Sequence, residues 1–241
     1  MKKDDFYERT EVIHEVVEAE RSEICYNLLI DLIAKENNHT GKKRILDIGC
    51  GDGSFIKKFE NDCEVFGVDI SSVAVKIAKE AGITAYEVDM SRTKLPFESE
   101  YFDLVYMGDV IEHLANPDFA IYEVARTLKP NGFLVLSTPN LASWLNRSLL
   151  LMGIQPLFSE VSTLWDFGRF GRLDSFPVGH LRLFTYGALK KFLIHHRFKI
   201  VKVEGASYEG LPRVLNNIDR IFSRIHSLSS IVIVIASKMQ T

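Results

Sequence analysis

A glycine-rich turn follows the first short apolar run of the chain, a position where α/β sheets bind ligands. It reads Asp47-Ile48-Gly49-Cys50-Gly51-Asp52-Gly53. Glycines let the backbone turn tightly and come close to a ligand, and the helix that follows points its N-terminal amides into the same crevice. The spacing is GxGxG, whereas a dinucleotide site prefers GxGxxG. Taken alone, the turn also fits an ordinary connection between a strand and a helix.

Acidic residues follow the next two apolar runs. Asp69 comes directly after Val68, and a carboxylate there can accept both ribose hydroxyls of an adenosine. The alternative is a helix N-cap, a role that Ser71 could also fill. Asp89 could accept the amino group of adenine and Met90 could pack on the ring, although Asp89 alone also fits a solvated loop acid. Together the two acids predict a ligand that contains adenosine.

The fourth apolar run leads to Asp109-Val110-Ile111-Glu112-His113-Leu114. Asp109, Glu112 and His113 are spaced i, i+3, i+4, so in a helix they would share one face. Their oxygen and imidazole groups suit Mg²⁺, Mn²⁺ or Zn²⁺. The alternative is that Glu112 and His113 begin a short helix and order the loop.

The spacing of apolar residues predicts the elements that must position these groups. Seven strands are predicted, at residues 44–48, 64–68, 84–88, 102–107, 133–137, 199–203 and 231–237. The predicted helices cover residues 10–36, 54–59, 73–80, 117–128, 141–152, 186–196 and 211–225. Strands that alternate with helices form a parallel sheet, and nearly continuous apolar strands are covered on both faces. We therefore predict a doubly wound, Rossmann-like α/β fold with a seven-stranded, mostly parallel sheet and helices on both faces.

In combination, these motifs resemble the class I S-adenosylmethionine-dependent methyltransferases, of the type 11/12 kind. The resemblance covers roughly residues 40 to 140 and rests on Ile45-Leu46-Asp47-Ile48-Gly49-Cys50-Gly51-Asp52-Gly53, Gly67-Val68-Asp69-Ile70-Ser71, Asp89 with Leu95-Pro96-Phe97, Phe102-Asp103-Leu104-Val105, Val110-Ile111-Glu112-His113-Leu114, and Leu128-Lys129-Pro130-Asn131-Gly132. It implies a single methyltransferase domain over residues 1–241. Within it we expect an N-terminal helix at 10–36, a cofactor half at 40–140, and acceptor-site insertions at 140–180 and 205–228.

The resemblance also implies the cofactor, S-adenosylmethionine, and its binding residues. Gly49 and Gly51 would lie under the methionine part, and Asp47 would organise its ammonium end. Asp109 and Val110 would line the cofactor near the sulfonium. Asp69 would bind the ribose hydroxyls, and Asp89 would bind adenine. The predicted cofactor-binding set is Asp47, Gly49, Cys50, Gly51, Gly53, Asp69, Ile70, Asp89, Met90, Asp109 and Val110.

The predicted catalytic residues are His180 and His113. A sulfonium methyl group is already activated, so the protein mainly holds the acceptor in line with it and excludes water. A general base helps only where the acceptor must lose a proton, as a hydroxyl or phenol does. His180 lies in a Gly-His-x-Arg-x-Phe segment, residues 179–184, that in many relatives covers the methyl-transfer pocket. The alternative is that His180 simply caps its loop.

A metal-bound version of this site is the alternative that the resemblance leaves open. Asp109, Glu112 and His113 are similar to the Glu-x-x-Glu-His metal ligands of ubiquinone-pathway O-methyltransferases and of enzymes that methylate the terminal 2′-hydroxyl of small RNAs. The RNA enzymes add a later histidine, which His180 would match. Asp109 stands where both families have Glu, so its side chain has a shorter reach. We predict no metal site and keep these four residues as the alternative.

The segment 140–180 carries aromatic residues with arginines interleaved, namely Trp144, Arg147, Trp165, Phe167, Arg169, Phe170, Arg172 and Phe176. They predict either a small satellite core that closes the site or a pocket for an apolar or aromatic acceptor with an anionic group. An edge that touches membrane lipid and a contact with RNA are further alternatives.

We predict methylation of a small molecule, lipid precursor or glycan, most simply at oxygen. The alternatives are a metal-dependent RNA 2′-O-methyltransferase and a non-catalytic S-adenosylmethionine-binding protein. A NAD dehydrogenase is a further alternative, because such enzymes share the same general fold.

Composition narrows the classes of partner. The net charge of −3 does not favour nucleic acid, and no apolar run is long enough to span a bilayer. The three cysteines include no CxxC pair, which argues against a disulfide framework and a cysteine zinc site. The first ten residues are charged and lack the apolar core of a signal peptide, so we expect a cytoplasmic protein.

Overall fold

A computed structural model describes residues 19–34, 41–162, 165, 167 and 177–240. The strands are β1 (Lys43–Ile48), β2 (Cys63–Asp69), β3 (Thr84–Glu87), β4 (Phe102–Gly108), β5 (Leu128–Pro139), β6 (Phe198–Ala206) and β7 (Ile231–Lys238). The helices are α1 (Ala19–Ala34), α2 (Ser54–Lys57), α3 (Ser72–Glu80), α4 (Pro117–Thr127), α5 (Trp144–Leu151), α6 (Tyr186–His195) and α7 (Arg213–Phe222), with a 3-10 helix at Ile111–His113. The remainder of the predicted N-terminal helix, residues 10–18 and 35–36, lies outside the described residues.

The strands form one seven-stranded sheet in the order β3-β2-β1-β4-β5-β7-β6. β1 to β5 pair in parallel, whereas β7 runs antiparallel to both β5 and β6. The chain moves outward from β1 to β3 and then returns to place β4 on the other side of β1. Strand order therefore reverses between β1 and β4, and the carboxyl ends of these strands border a crevice. The predicted doubly wound, mostly parallel fold is confirmed.

Helices cover both faces of the sheet, because alternate side chains of each strand point to opposite faces. In β4, Val105 and Met107 join one buried cluster, whereas Leu104 and Tyr106 join the other. α4 and α6 contribute to the first cluster, and α1, α2 and α3 contribute to the second. The sheet therefore separates two apolar cores and holds the ends of its central strands in fixed positions.

Several predicted boundaries differ from the structure, three of them for reasons of local geometry. Ser143 caps α5 by accepting a hydrogen bond from the amide of Asn146 at 3.2 Å, so the helix begins at Trp144 and not at residue 141. α7 begins directly after Pro212 and ends at Phe222, inside the predicted range 211–225. β5 begins at Leu128, which pairs with Phe102 of β4 before the register of the ladder shifts.

Candidate active site

The glycine turn after β1 lies between β2 and β4. Gly49, Gly51 and Gly53 have positive φ angles of 77°, 53° and 80°. The amide of Gly49 donates to the carbonyl oxygen of Val68 at 2.8 Å, which ties the turn to β2. A Cβ on Gly49 would collide with Val110 Cγ2, whereas no atom of the described residues lies within 4 Å of a Cβ on Gly51. Gly51 therefore borders open space, which close approach of a ligand requires.

Asp69 at the end of β2 connects this turn to the next helix. Its Oδ2 accepts the amide of Gly51 at 2.9 Å, and its Oδ1 accepts the amide of Ser71 at 2.9 Å. Ser71 itself caps α3, because its Oγ accepts the amide of Ala74 at 3.2 Å. Ser71 therefore fills the N-cap role that was the alternative for Asp69. A carboxylate offers about four acceptor positions, so Asp69 keeps capacity for two ribose hydroxyls.

Asp89 follows β3 and folds its carboxylate over the next turn. Its Oδ1 accepts the amide of Ser91 at 3.0 Å, and its Oδ2 lies 2.8 Å from Nε of Arg92. Met90 is buried in the first apolar cluster, while Ile70 is half-buried at the end of β2. Adenine binding by Asp89 and Met90 stays a prediction.

Asp47 lies at the bottom of the crevice, near the end of β1, and is only 2% exposed. Burial raises its pKa well above the usual value, the nearby carboxylate of Asp69 raises it further, and the cation of Arg21 opposes both effects. Burial also raises the pKa of the adjacent Cys50 thiol, which disfavours a reactive thiolate, and its predicted contact with the cofactor stays a prediction. None of the three cysteines forms a disulfide.

Asp109 follows β4 in a left-handed conformation with φ 52°. Its Oδ2 lies 3.0 Å from Nε of Arg21, and both side chains are only 10% exposed. Its Oδ1 accepts a hydrogen bond from Ser137 Oγ at 2.7 Å. The 3-10 helix covers only Ile111–His113, so the prediction that Asp109 shares a helical face with Glu112 and His113 is wrong.

A second group of side chains lies just beyond Asp109. Glu112, His113 and His180 each place one ligand atom within 4.8 Å of the others. Glu112 is fully buried, and its Oε2 accepts a hydrogen bond from Thr138 Oγ1 at 2.9 Å. The backbone carbonyl of Glu112 accepts the amides of Leu181 and Arg182, which fastens the His180 loop to the 3-10 helix. Three of the four residues of the metal alternative therefore lie together, and they include both predicted catalytic histidines. The fourth, Asp109, pairs with Arg21 instead.

The two histidine rings are oriented by backbone carbonyls. His113 Nδ1 lies 3.2 Å from the carbonyl oxygen of Gly179, and His180 Nδ1 lies 3.0 Å from that of Phe158. A carbonyl oxygen only accepts, so in the neutral rings Nδ1 carries the hydrogen and Nε2 presents a lone pair. The ring centroids lie 4.7 Å apart. Such a pair can accept a proton or bind a cation.

His113 and His180 lie 67 positions apart in the chain, and the insertion between them supports the His180 loop. Glu160 accepts the amides of Val178, Gly179 and His180 at 2.7, 2.9 and 3.2 Å. A carboxylate that accepts three successive amides fixes the backbone of the loop that carries His180.

The aromatic residues of the insertion divide into two groups. Trp144 and Phe158 pack in a small cluster with Leu145, Leu149 and Leu157, which confirms a satellite core. Trp165 and Phe167 are exposed. Arg147 donates to the carbonyls of Ala142 and Ser227. The remaining members of the predicted pocket, Arg169, Phe170, Arg172 and Phe176, lie outside the described residues.

Residues 46–136 match the sequence profile of a family described as the methyltransferase domain. The matched stretch contains the glycine turn, Asp69, Asp89 and the 3-10 helix. This chain belongs to the class I S-adenosylmethionine-dependent methyltransferases. Its cofactor is S-adenosylmethionine, as for other domains of this family.

Two relatives are each described as a ubiquinone biosynthesis O-methyltransferase. The chain is 32% identical over 179 residues to the protein of Bradyrhizobium sp. (strain ORS 278), a match that covers 73% of this chain and 66% of the relative. It is 27% identical over 173 residues to that of Bartonella bacilliformis, covering 70% of this chain and 64% of the relative. The chain spans about half to two thirds of the length of the curated relatives it matches.

The fold also matches solved structures of methyltransferases. A protein of Thermotoga maritima, described as a possible histamine N-methyltransferase, superposes with a TM-score of 0.59 at 19% identity. The superposition covers 97% of this chain and 99% of that protein. At this identity the likeness shows the fold alone.

In this methyltransferase, sequence reasoning missed two residues that position the site. Arg21 shares the buried face of α1 with Cys25, Leu28 and Leu32, at the spacing i, i+4, i+7, i+11. A single arginine on an apolar face was the signal, because a buried cation needs a partner. Glu160 left no such signal, since its partners are backbone amides.

Proposed function

We propose that this protein methylates an oxygen atom of a small apolar or aromatic acceptor, with S-adenosylmethionine as the methyl donor. The observation that carries this proposal is the contact between His113 and His180, with ring centroids 4.7 Å apart beside the end of β4. With Nδ1 held at a carbonyl oxygen, Nε2 is the ring nitrogen that would accept a proton in either histidine. A hydroxyl or phenol must lose a proton during methyl transfer. A positioned base therefore helps this kind of acceptor more than one that keeps its protons.

The cofactor would lie along the carboxyl ends of the central strands. Its amino-acid end is a zwitterion, and the opposite charges of Arg21 and Asp47 match the carboxylate and the ammonium group. Asp69 would accept the ribose hydroxyls, while Gly51 gives the chain of the cofactor room above the turn. This direction points the sulfonium toward Val110, which directly precedes the 3-10 helix that holds His113.

The transfer itself is a single displacement. S-adenosylmethionine would supply an activated methyl group that the acceptor oxygen displaces from sulfur, and the broken carbon–sulfur bond would leave S-adenosylhomocysteine as a neutral thioether. The hydroxyl proton passes to Nε2 of one of the two histidines. The names of the relatives from Bradyrhizobium and Bartonella, which refer to O-methylation in ubiquinone biosynthesis, support a small-molecule acceptor.

A transfer assay tests this proposal. Purified protein and methyl-labelled S-adenosylmethionine are mixed with a lysate of the source organism, which is then divided into organic, small aqueous and macromolecular fractions. We expect label in the organic fraction, resistant to nuclease and protease. Label in a nuclease-sensitive fraction would overturn the proposal in favour of RNA methylation.

Two histidine variants test the role of the base. In His180→Gln we expect kcat to fall by about 10²–10⁴-fold, the usual contribution of a general base, with unchanged binding of S-adenosylhomocysteine. His195→Gln is the matched control, because His195 is exposed at the end of α6. Equal rates in both variants would exclude His180 as the base.

A metal-assisted form of the same reaction is the second candidate, favoured by the ligand atoms of Glu112, His113 and His180 that lie within 4.8 Å of one another. One carboxylate and two imidazoles fit the donor set of Zn²⁺ or Mn²⁺, and Nδ1 contacts with carbonyls are the usual support of a histidine ligand. A bound ion would polarise the acceptor hydroxyl.

Calorimetric titration of the purified protein with Zn²⁺ or Mn²⁺ tests this candidate without measuring turnover. Binding that is lost in His113→Gln would support it. The control is His196→Gln, which breaks a histidine–carboxylate pair with Asp118 (3.0 Å) away from the site. Absence of binding to the parent protein would exclude the metal.

A further inference from the structure

An apolar stripe runs along the outer side of α7 and the turn after it. Val214, Ile221 and Ile225 are 71%, 64% and 50% exposed, and the partly buried Ile218 lies between them. The spacing of four and three residues aligns Val214, Ile218 and Ile221 on one side of α7, and Ile225 follows in the turn after the helix. Large apolar side chains placed in a row toward solvent mark an interaction surface.

A row of arginines borders this stripe. Arg213 and Arg220 each precede a residue of the stripe by one position, so they lie about 100° around the helix from it, and Arg224 precedes Ile225 in the turn after the helix. Between residues 210 and 230 the sequence contains a single acid, Asp219, which is fully buried. Arg220 also contacts Glu209 at 3.5 Å, an exposed pair that contributes little. The edge is therefore cationic in a chain whose net charge is −3.

The opposite side of α7 is fixed to the body of the protein. Asp219 accepts hydrogen bonds from Trp144 Nε1 at 2.6 Å and Ser230 Oγ at 2.8 Å. Phe222 stacks on the Trp144 ring with centroids 5.2 Å apart. α7 is therefore fixed to the body of the protein with its apolar stripe toward solvent. The exposure of the stripe is thus not a result of loose packing of the helix.

We propose that the stripe and its arginine row form a docking face for an anionic lipid bilayer. We define this face as Val214, Ile218, Ile221 and Ile225 with Arg213, Arg220 and Arg224. A helix with an apolar side and a cationic edge lies in the interface plane, with its apolar side among the acyl chains and its arginines at the lipid phosphates. No helix of the described residues is long and apolar enough to cross a membrane, so this contact is peripheral.

The docking face is connected to the candidate acceptor site through aromatic contacts. Tyr208, just before α7, lies 4.8 Å from the Phe158 ring, and Phe158 lies 5.8 Å from the ring of His180. An acceptor held in the bilayer by an apolar tail would reach the histidines from this side. That step rests on the proposed function, whereas lipid binding by the face does not.

Vesicle co-sedimentation tests the proposal with the full chain. We expect binding to vesicles of phosphatidylcholine with phosphatidylglycerol, weak binding to phosphatidylcholine alone, and loss of binding at high salt. Arg213→Gln/Arg224→Gln should weaken binding by about fivefold for each arginine. Val214→Ser/Ile221→Ser should weaken it by at least about tenfold.

A second exposed apolar pair provides the matched control. Val73 and Ile77 on α3 are 46% and 43% exposed, so Val73→Ser/Ile77→Ser should bind vesicles as the parent does. All variants should keep parental affinity for S-adenosylhomocysteine, which separates a lost docking face from a lost fold or a wrong proposed function. Equal binding to neutral and anionic vesicles, or equal losses in the control, would overturn the proposal. So would concentration-dependent self-association that disappears in Val214→Ser/Ile221→Ser, because the face would then join two copies of the chain.

Discussion

The guanidinium of Arg21 lies 3.0 Å from Oδ2 of Asp109, so α1 and the end of β4 are joined by a buried ion pair. Arg21 Nη1 also donates to the Tyr106 hydroxyl at 2.8 Å. Because both charges are nearly excluded from water, each depends on the other for compensation. The first described helix therefore helps to build the proposed cofactor crevice, although it lies outside the stretch that matches the family.

Replacement of Arg21 should affect binding and stability separately. Arg21→Ala leaves Asp109 buried without its cation, and we expect a loss of about 3–5 kcal/mol in the free energy of unfolding. Arg21→Gln/Asp109→Asn removes both charges and should recover much of that stability. Its affinity for S-adenosylhomocysteine should nevertheless stay at least about tenfold below that of the parent, because one hydrogen bond to a charged group is lost. Denaturant titration and calorimetry measure the two effects. The control is Arg44→Ala, which breaks an exposed pair with Glu64. Parental affinity in the double variant would exclude Arg21 from cofactor binding.

Asp47 should show a conflict between stability and binding. Its pKa is raised in the folded protein, mainly by burial, so the folded state holds its proton more tightly than the unfolded chain does. Stability from this group is therefore lost as pH rises from the unfolded pKa through the raised folded pKa. Asp47→Asn removes that slope and should raise the melting temperature of the cofactor-free protein at neutral pH. The same variant should bind S-adenosylhomocysteine more weakly, because the ammonium group loses its anion. A lower melting temperature in Asp47→Asn would contradict this account.

Gly49 and Gly51 form a matched pair, since both have positive φ but different surroundings. Either alanine pays about 1–2 kcal/mol for a left-handed backbone. Gly49→Ala must also displace Val110, so it should lose about 1–3 kcal/mol more. Gly51→Ala has open space in the described structure and should fold, but its methyl group would occupy the cofactor crevice. We expect thermal denaturation to single out Gly49→Ala and cofactor titration to show that Gly51→Ala is folded yet binds poorly. Tight binding by Gly51→Ala would place the cofactor elsewhere.

The sequence predicted those parts of the site that depend on local order along the chain. Asp69 follows its strand and Gly51 follows the preceding one, so the parallel sheet brings them together without further information. Arg21 donates a hydrogen bond to Tyr106, which lies 85 positions later in the chain. Residue spacing along the sequence cannot predict a contact over that separation. The prediction that Asp109 lies on a helical face was wrong because the backbone of Asp109 is left-handed, with φ 52°. The 3-10 helix therefore begins only at Ile111.

Glu160 should act on the reaction only through His180. Its carboxylate accepts three successive amides, and Glu160→Gln replaces one of its oxygens with an NH₂ group that repels those donors. We expect kcat to fall about tenfold, the equivalent of one lost hydrogen bond, with little change in the affinity for S-adenosylhomocysteine. Hydrogen exchange should quicken at the amides of 178–180, which a loss confined to chemistry would not produce. Glu209→Gln, which breaks only the exposed pair with Arg220, is the control. The same change is then made in the His180→Gln variant. If Glu160→Gln lowers the rate by the same factor in the parent protein and in His180→Gln, Glu160 acts independently of His180. A much smaller effect in His180→Gln would establish that Glu160 positions this histidine.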